Sequence, residues 1–240
     1  MHIIKLSATP STNNYLKQLY SEQVVANFTI VVASNQLKGK GQMGTSWESE
    51  SGKNLTFSIL LKDLIVDVKQ LFTLNILVSL ALVEVLERYK IPNVTVKWPN
   101  DIMSGNLKLG GILIENVLRG TQWQWAIAGI GINVNQTVFG QLQNPVSIKQ
   151  ITGKETPIKE LAQAIHAKLL HSVAKLEKEG FEEFLQQYNQ QLYKQGEQVT
   201  LKKGNRSFTT TINGVSRQGQ LQTGIETEEN FDFGEVEWVL

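Results

Sequence analysis

The chain has 240 residues, 23 Lys+Arg against 22 Asp+Glu, three His and no Cys. Absence of thiols excludes a disulfide framework, cysteine nucleophiles and thiolate metal sites, while three scattered histidines (His2, His166, His171) argue against a His-rich metal centre or a Ser-His triad. A formal charge of +1 is too small for a general nucleic-acid coat, and 41% hydrophobic residues fit one large domain, or an average domain plus a small one.

In chain order, residues 2–6 read as a short strand, followed by a capping cluster (Thr9-Pro10-Ser11-Thr12-Asn13) and a helix carrying Tyr15, Leu16 and Leu19. Residues 28–33 form a β-branched strand. Residues 35–54 are a long Gly/Ser-rich loop, a length that usually signals function or disorder. A strand at 55–61 precedes a helix over 71–89 that is apolar on several faces and is therefore expected to be buried nearly all round. Strands follow at 94–97, 110–118 and 122–134, then helices at 157–178 and 180–191. After Gly196, short β-like runs between glycines suggest a small β-barrel or sandwich. No apolar run reaches the roughly 20 residues that a membrane span needs, and the expected setting is cytoplasmic.

Three segments carry chemistry. Gly39-Lys40-Gly41-Gln42-Met43-Gly44 matches a dinucleotide-site string, but Thr45-Ser46-Trp47-Glu48 is poor helix material, and that motif needs a helix at once. What remains is a Gly-rich loop with Lys38 and Lys40 that can present N–H groups to an anion. Lys97-Trp98-Pro99-Asn100-Asp101 ends a strand, and its Pro keeps the preceding residue extended. A lysine and a carboxylate there can serve one phosphate, the carboxylate by holding Mg²⁺. In Lys108-Leu109-Gly110-Gly111-Ile112-Leu113-Ile114-Glu115 and Gly129-Ile130-Gly131-Ile132-Asn133-Val134-Asn135, glycines inside strands mark close approach of a ligand or another backbone.

With Ser11-Thr12-Asn13, these segments stand in the order found in the biotin–protein ligases, which the chain resembles over essentially its whole length. The resemblance implies an α+β fold: a mixed sheet backed by helices, resembling the class II aminoacyl-tRNA synthetase core, over residues 1–193, then an SH3-like β-barrel over 194–240. It implies that biotin and MgATP form biotinyl-5′-AMP, from which biotin passes to a lysine of a biotin carboxyl carrier protein or domain. Lys108, Lys40 and Asp101 are the implied catalytic residues, Asp101 also holding Mg²⁺. Ser11, Thr12, Asn13, Gln36, Gly39, Lys40, Lys108, Gly111, Ile112, Gly129 and Gly131 are the implied biotin contacts. Lys40, Gln42, Met43, Trp47, Asn100, Asp101, Lys108 and Asn133 are the implied ATP and adenylate contacts. Trp47 is expected to close over the adenylate as the loop orders. Many family members carry four arginines in this loop, where this chain has Lys40, Gln42, Met43 and Thr45.

The nearest rival is a lipoate–protein ligase of the same superfamily. A biotin-responsive repressor needs an N-terminal DNA-binding domain, for which ten residues before Ser11 leave no room, so DNA is not an expected partner; neither is a membrane. A non-catalytic ligand-binding module does not need Lys108 and Asp101. Trp123, Trp125 and Ile127 alternate along one strand; they either face the core or mark an edge that pairs two copies. Residues 196–240 hold four cations and seven acids, a net −3, which leaves +4 on the remainder.

Overall fold

The computed structural model describes residues 2–239 except 65, 141, 143 and 226. Seven strands make the main sheet: β1 (Ile3–Thr9), β2 (Ile30–Gln36), β3 (Leu55–Lys62), β4 (Val94–Lys97), β5 (Asp101–Ser104), β6 (Leu107–Arg119) and β7 (Gln122–Ile132). Their spatial order is β1-β2-β3-β7-β6-β5-β4. Only β1 and β2 pair in parallel, with Thr9 opposite Gln36; the other ladders are antiparallel.

The two-residue period of the strands assigns each face a partner. Leu55, Phe57, Ile59 and Leu61 of β3, with Ala126, Ala128, Ile130 and Ile132 of β7, point into the large core. That core is closed by α2 (Thr73–Arg88), α4 (Ile158–Glu179) and α5 (Phe181–Gln190). As its composition predicts, α2 is buried on nearly every face. Leu60 and Ile127 point the other way, onto Leu16 of α1 (Thr12–Glu22). Gly129 and Gly131 share the Ile127 parity, so the glycines clear the α1 face of the sheet while Ile130 and Ile132 fill the core behind it.

Two elements escape sequence patterning: β5, and a short helix α3 (Ile148–Thr152) with a capping box between Ser147 and Gln150. Residues 98–100 form the turn of the β4–β5 hairpin, so Lys97 stands opposite Asp101. The tryptophan strand is not an edge: β7 lies between β3 and β6. A register shift between Val117 and Leu118 of β6 separates Trp123 from Trp125. Trp123 packs on the large core and Trp125 meets Tyr20 edge-on at 5.1 Å.

The C-terminal runs are β8 (Gln198–Lys203), β9 (Arg206–Val215), β10 (Leu221–Thr223), β11 (Glu229–Phe231) and β12 (Glu237–Val239). They form a second antiparallel sheet, ordered β11-β10-β9-β8-β12. This agrees with an SH3-like module, but the expected barrel does not close among the described residues: β11 and β12 remain its two edges. Its apolar side (Leu201, Ile212, Val215, Leu221, Phe231) is continuous with the large core. Trp98 clasps the two sheets, its Nε1 donating to the Gly219 carbonyl at 2.9 Å, while Trp238 Nε1 donates to the Trp98 carbonyl at 3.3 Å. No helix among the described residues is long and apolar enough to cross a membrane.

Candidate active site

A cavity opens on the α1 face of the main sheet, where the start of α1, the Gly-rich loop, the β4–β5 turn and the glycine-bearing strands converge. It is lined by Ser11, Thr12, Asn13, Gln36, Lys40, Gln42, Met43, Trp47, Asn100, Asp101, Lys108, Gly111, Ile112, Gly129 and Gly131, all named from sequence. Two named residues lie outside it. Gly39 is buried beneath the loop, where a Cβ would stand 2.3 Å from the Trp47 carbonyl oxygen; it lets the loop close on itself. Asn133 is spent on structure, its Nδ2 donating to the carbonyls of Val146 at 3.2 Å and Lys108 at 3.4 Å.

One end of the cavity is a buried polar network. The Thr12 amide and hydroxyl both donate to Gln36 Oε1, at 2.8 and 3.0 Å. Asn13 Nδ2 donates to Glu115 Oε2 at 2.7 Å, which turns Asn13 Oδ1 toward the Ser58 hydroxyl. Ser58 Oγ lies 2.7 Å from Thr12 Oγ1 and 2.5 Å from Asn13 Oδ1, so its single proton is shared between two acceptors. Ser11 takes the N-cap position of α1 without a side-chain capping bond, which leaves its hydroxyl to the cavity. Carboxamides and hydroxyls oriented in this way suit a small polar head with both donors and acceptors.

At the other end is charge. Lys108 Nζ lies 2.7 Å from Asp101 Oδ1. Lys97 stands behind them, its ammonium 5.5 Å from the centre of the Trp238 ring. Burial holds Lys97 below the usual lysine range; Asp101 opposes that shift and Lys108 adds to it. Lys40 reaches Asn14 Oδ1 at 3.1 Å. Asn100 is braced on β6, its Nδ2 donating to the Ile112 carbonyl and its own carbonyl accepting from the Ile112 amide. Two lining lysines, Lys40 and Lys108, against one lining carboxylate, with Lys97 behind them, suit the cavity to anions.

The strand glycines admit the protein's own side chains and backbone, while Gly111, Gly129 and Gly131 also line the cavity. A Cβ on Gly129 would stand 2.4 Å from Asn13 Oδ1, and one on Gly131 would stand 2.5 Å from Trp47 Cε2. Gly110 admits the β7 backbone, with the Gly131 carbonyl 2.6 Å from its would-be Cβ. Trp47 thus lies along the glycine strip, and its buried Nε1 has no hydrogen-bond partner among the described residues. The loop above it is a tight hairpin: the Trp47 amide donates to the Gly39 carbonyl at 3.0 Å and the Gly41 amide to the Thr45 carbonyl at 2.7 Å.

Sequence reasoning missed Ser58, Glu115 as the partner of Asn13, and Phe233, which lines the cavity from the second sheet. Ser58 left a faint signal, a hydroxyl inside the aliphatic strand β3. Phe233 left none, because its place depends on how the two sheets dock.

The sequence profile of the Biotin/lipoate A/B protein ligase family matches residues 6–133, more than half of the chain and nearly all of the cavity's lining. The chain belongs to this family. Among solved structures, the biotin protein ligase from Aquifex aeolicus in complex with biotin and ATP is 29% identical, with a TM-score of 0.80 over 98% of this chain and 97% of that one. The bifunctional ligase/repressor BirA of Escherichia coli is 28% identical over 227 residues, 92% of this chain and 69% of the relative. That of Bacillus spizizenii is 33% identical over 135 residues, 56% of this chain; the match spans only 41% of the Bacillus protein.

Proposed function

We propose that this member of the family is an ATP-dependent biotin–protein ligase, which makes biotinyl-5′-AMP and passes the biotinyl group to a lysine of a biotin carboxyl carrier protein or domain. The observation that carries the reading is one cavity with a polar network at one end and an anion site at the other. Biotin has a ureido head that both donates and accepts, and a carboxylate at the far end of its valeryl chain. The relative named as a biotin protein ligase and solved with biotin and ATP favours this acid over lipoate, whose dithiolane offers no such hydrogen bonds.

The chemistry needs no protein nucleophile. Ser11, Thr12, Asn13 and Gln36 hold the head. Lys108 lies between the two anions, lowers their repulsion and lets a carboxylate oxygen attack the α-phosphorus, with pyrophosphate leaving. The acceptor amine then attacks the mixed anhydride's carbonyl, loses a proton and displaces AMP. Lys40, Gln42, Met43, Trp47 and Asn100 enclose the adenylate. Asp101 is the only carboxylate among the described lining residues, and no cluster of three metal-ligating side chains occurs among the described residues. That donor set suits Mg²⁺ arriving with the nucleotide, which keeps water and phosphate ligands and takes one or two carboxylates from protein; there it offsets phosphate charge. Residues 1–193 form the ligase unit and 194–240 the appended module. Incubation with biotin, MgATP and a carrier domain tests the proposal: biotinylation of a single carrier lysine, with one pyrophosphate per biotin, is expected. Turnover with lipoate and none with biotin would replace it.

A further inference from the structure

The outer wall of the cavity comes from the second sheet. Phe233 lines the cavity beside Met43, and the next residue, Gly234, sits directly under the Met43 side chain. A Cβ on Gly234 would stand 3.3 Å from Met43 Cε and 3.5 Å from Sδ. Gly234 has φ 87° and Met43 has φ 51°, so both sides of the contact are left-handed turn positions.

One side of the contact is tied into the second sheet. The Asp232 amide donates to Glu235 Oε2 at 2.9 Å, and Gln220 Nε2 donates to Asp232 Oδ1 at 3.0 Å. The Phe233 ring stands edge-on to Trp98 at 6.3 Å, and Trp98 is itself clasped to Gly219. The other side is a loop tip, tied at its base by the Gly39–Trp47 and Gly41–Thr45 bonds, with Met43 73% exposed. Where Arg is absent at four loop positions, the tip's own charge contributes little hold on an anion. An unbranched thioether supplies what a cation there does not, an apolar tip that settles on a bare glycine next to Phe233.

We propose that the Phe233–Gly234 turn is a positioning element for the Gly-rich loop: it seats Met43 and so holds the loop over the reaction intermediate, which makes retention of the adenylate a property of the C-terminal sheet. The inference rests on the ligase reading for the identity of what is retained, and not for the contact itself.

The test uses the whole chain with Phe233→Ala, Met43→Ala, their combination and Met43→Leu. Loss of preformed biotinyl-AMP into a biotin chase is expected to accelerate about three- to tenfold in each single variant, by more than pyrophosphate formation slows. The double variant should be no worse than the worse single, because either substitution removes the same seat. Met43→Leu, which keeps an apolar tip, should restore most of the retention. Off-rates within about twofold of the unsubstituted chain, or single effects that multiply, overturn the proposal. Trypsin cleavage after Lys38 and Lys40, measured without substrates, separates the two readings. Faster cleavage in Phe233→Ala supports the seat even if no adenylate ever forms, which would be a failure of the ligase reading alone. Cleavage unchanged by Phe233→Ala overturns the seat.

Discussion

Lys108 Nζ and Asp101 Oδ1 meet at 2.7 Å across strands β5 and β6, in the wall of the cavity. The pair is partly open to solvent, so its own contribution to stability is small; its importance is as a poised charge. Lys108→Ala removes the central cation and leaves Asp101 facing the incoming anions alone. Pyrophosphate release should fall by about a hundredfold or more. Asp101→Asn should fall less at saturating Mg²⁺ and more when Mg²⁺ is scarce. Near-normal release by Lys108→Ala would remove this lysine from the mechanism.

Gly129→Ala drives a methyl into Asn13, whose side chain is held by Ser58 and Glu115 and has nowhere easy to go. Displacing it breaks the network that presents the head-binding groups. Calorimetry should show biotin affinity down by about tenfold or more. Unchanged affinity would mean that Asn13 does not contact the ligand.

Lys40 is the cation of the loop hairpin, a point charge where a guanidinium fork would grip a phosphate in two places. Lys40→Arg should slow escape of biotinyl-AMP severalfold and reduce stray labelling of lysines on bystander proteins. The check is a chase of labelled adenylate, run beside a blot of added albumin. Equal off-rates for the two chains count against the charge argument.

His166 is buried in α4 beside the Phe28 carbonyl, with Nε2 at 3.1 Å. A carbonyl only accepts, so Nε2 carries the proton and donates. Burial pushes the imidazole below its ordinary range, partly opposed by that hydrogen bond. The unfolded chain therefore binds the proton more readily than the folded one. The resulting stability is fully present above the ordinary imidazole range and is lost as pH falls through it and on through the lowered folded value. Thermal midpoints measured from pH 7.5 down to 5 should decline, and His166→Gln, which keeps a donor without the titration, should flatten that decline. A slope unaffected by the substitution would assign the loss to other groups.

Gly219 joins the two sheets: its carbonyl accepts from Trp98, and a Cβ on it would stand 2.5 Å from Phe72 Cγ. Its φ of 90° also disfavours any side chain. Urea unfolding of Gly219→Ala should show a loss of about 1–3 kcal/mol. A loss well under that would mean that Phe72 moves aside freely.

Elements with a period were legible. Eleven of the sixteen residues of α2 are buried, as its all-round apolar sequence implies, and Val94–Lys97 is a strand from end to end. Asp101–Ser104 was not: it follows directly on a turn and owes its conformation to the strands on either side. Alternation misled at Trp123, because a register shift is invisible in a pattern that assumes constant phase. At the site, the motif residues converge, apart from Gly39 and Asn133. Both belong to conspicuous strings, and both serve the backbone that the site stands on. Glycine spacing announced close approach correctly but could not say what approaches, and Trp47 and Asn13 are the answer.

The cavity takes its walls from residues 11–13, 36, 40–43, 45–47, 57, 100–101, 108, 111–113, 129–131 and 233, stretches that lie far apart along the chain and meet only in the folded state. All of these but Phe233 belong to the main sheet, its loops and the start of α1, so the second sheet closes the cavity rather than building it. Small molecules that fill the cavity therefore bind the folded chain and not the unfolded one. They draw destabilised variants toward the native state by mass action, so growth or purification with the ligand present can mask folding defects that appear only once it is removed.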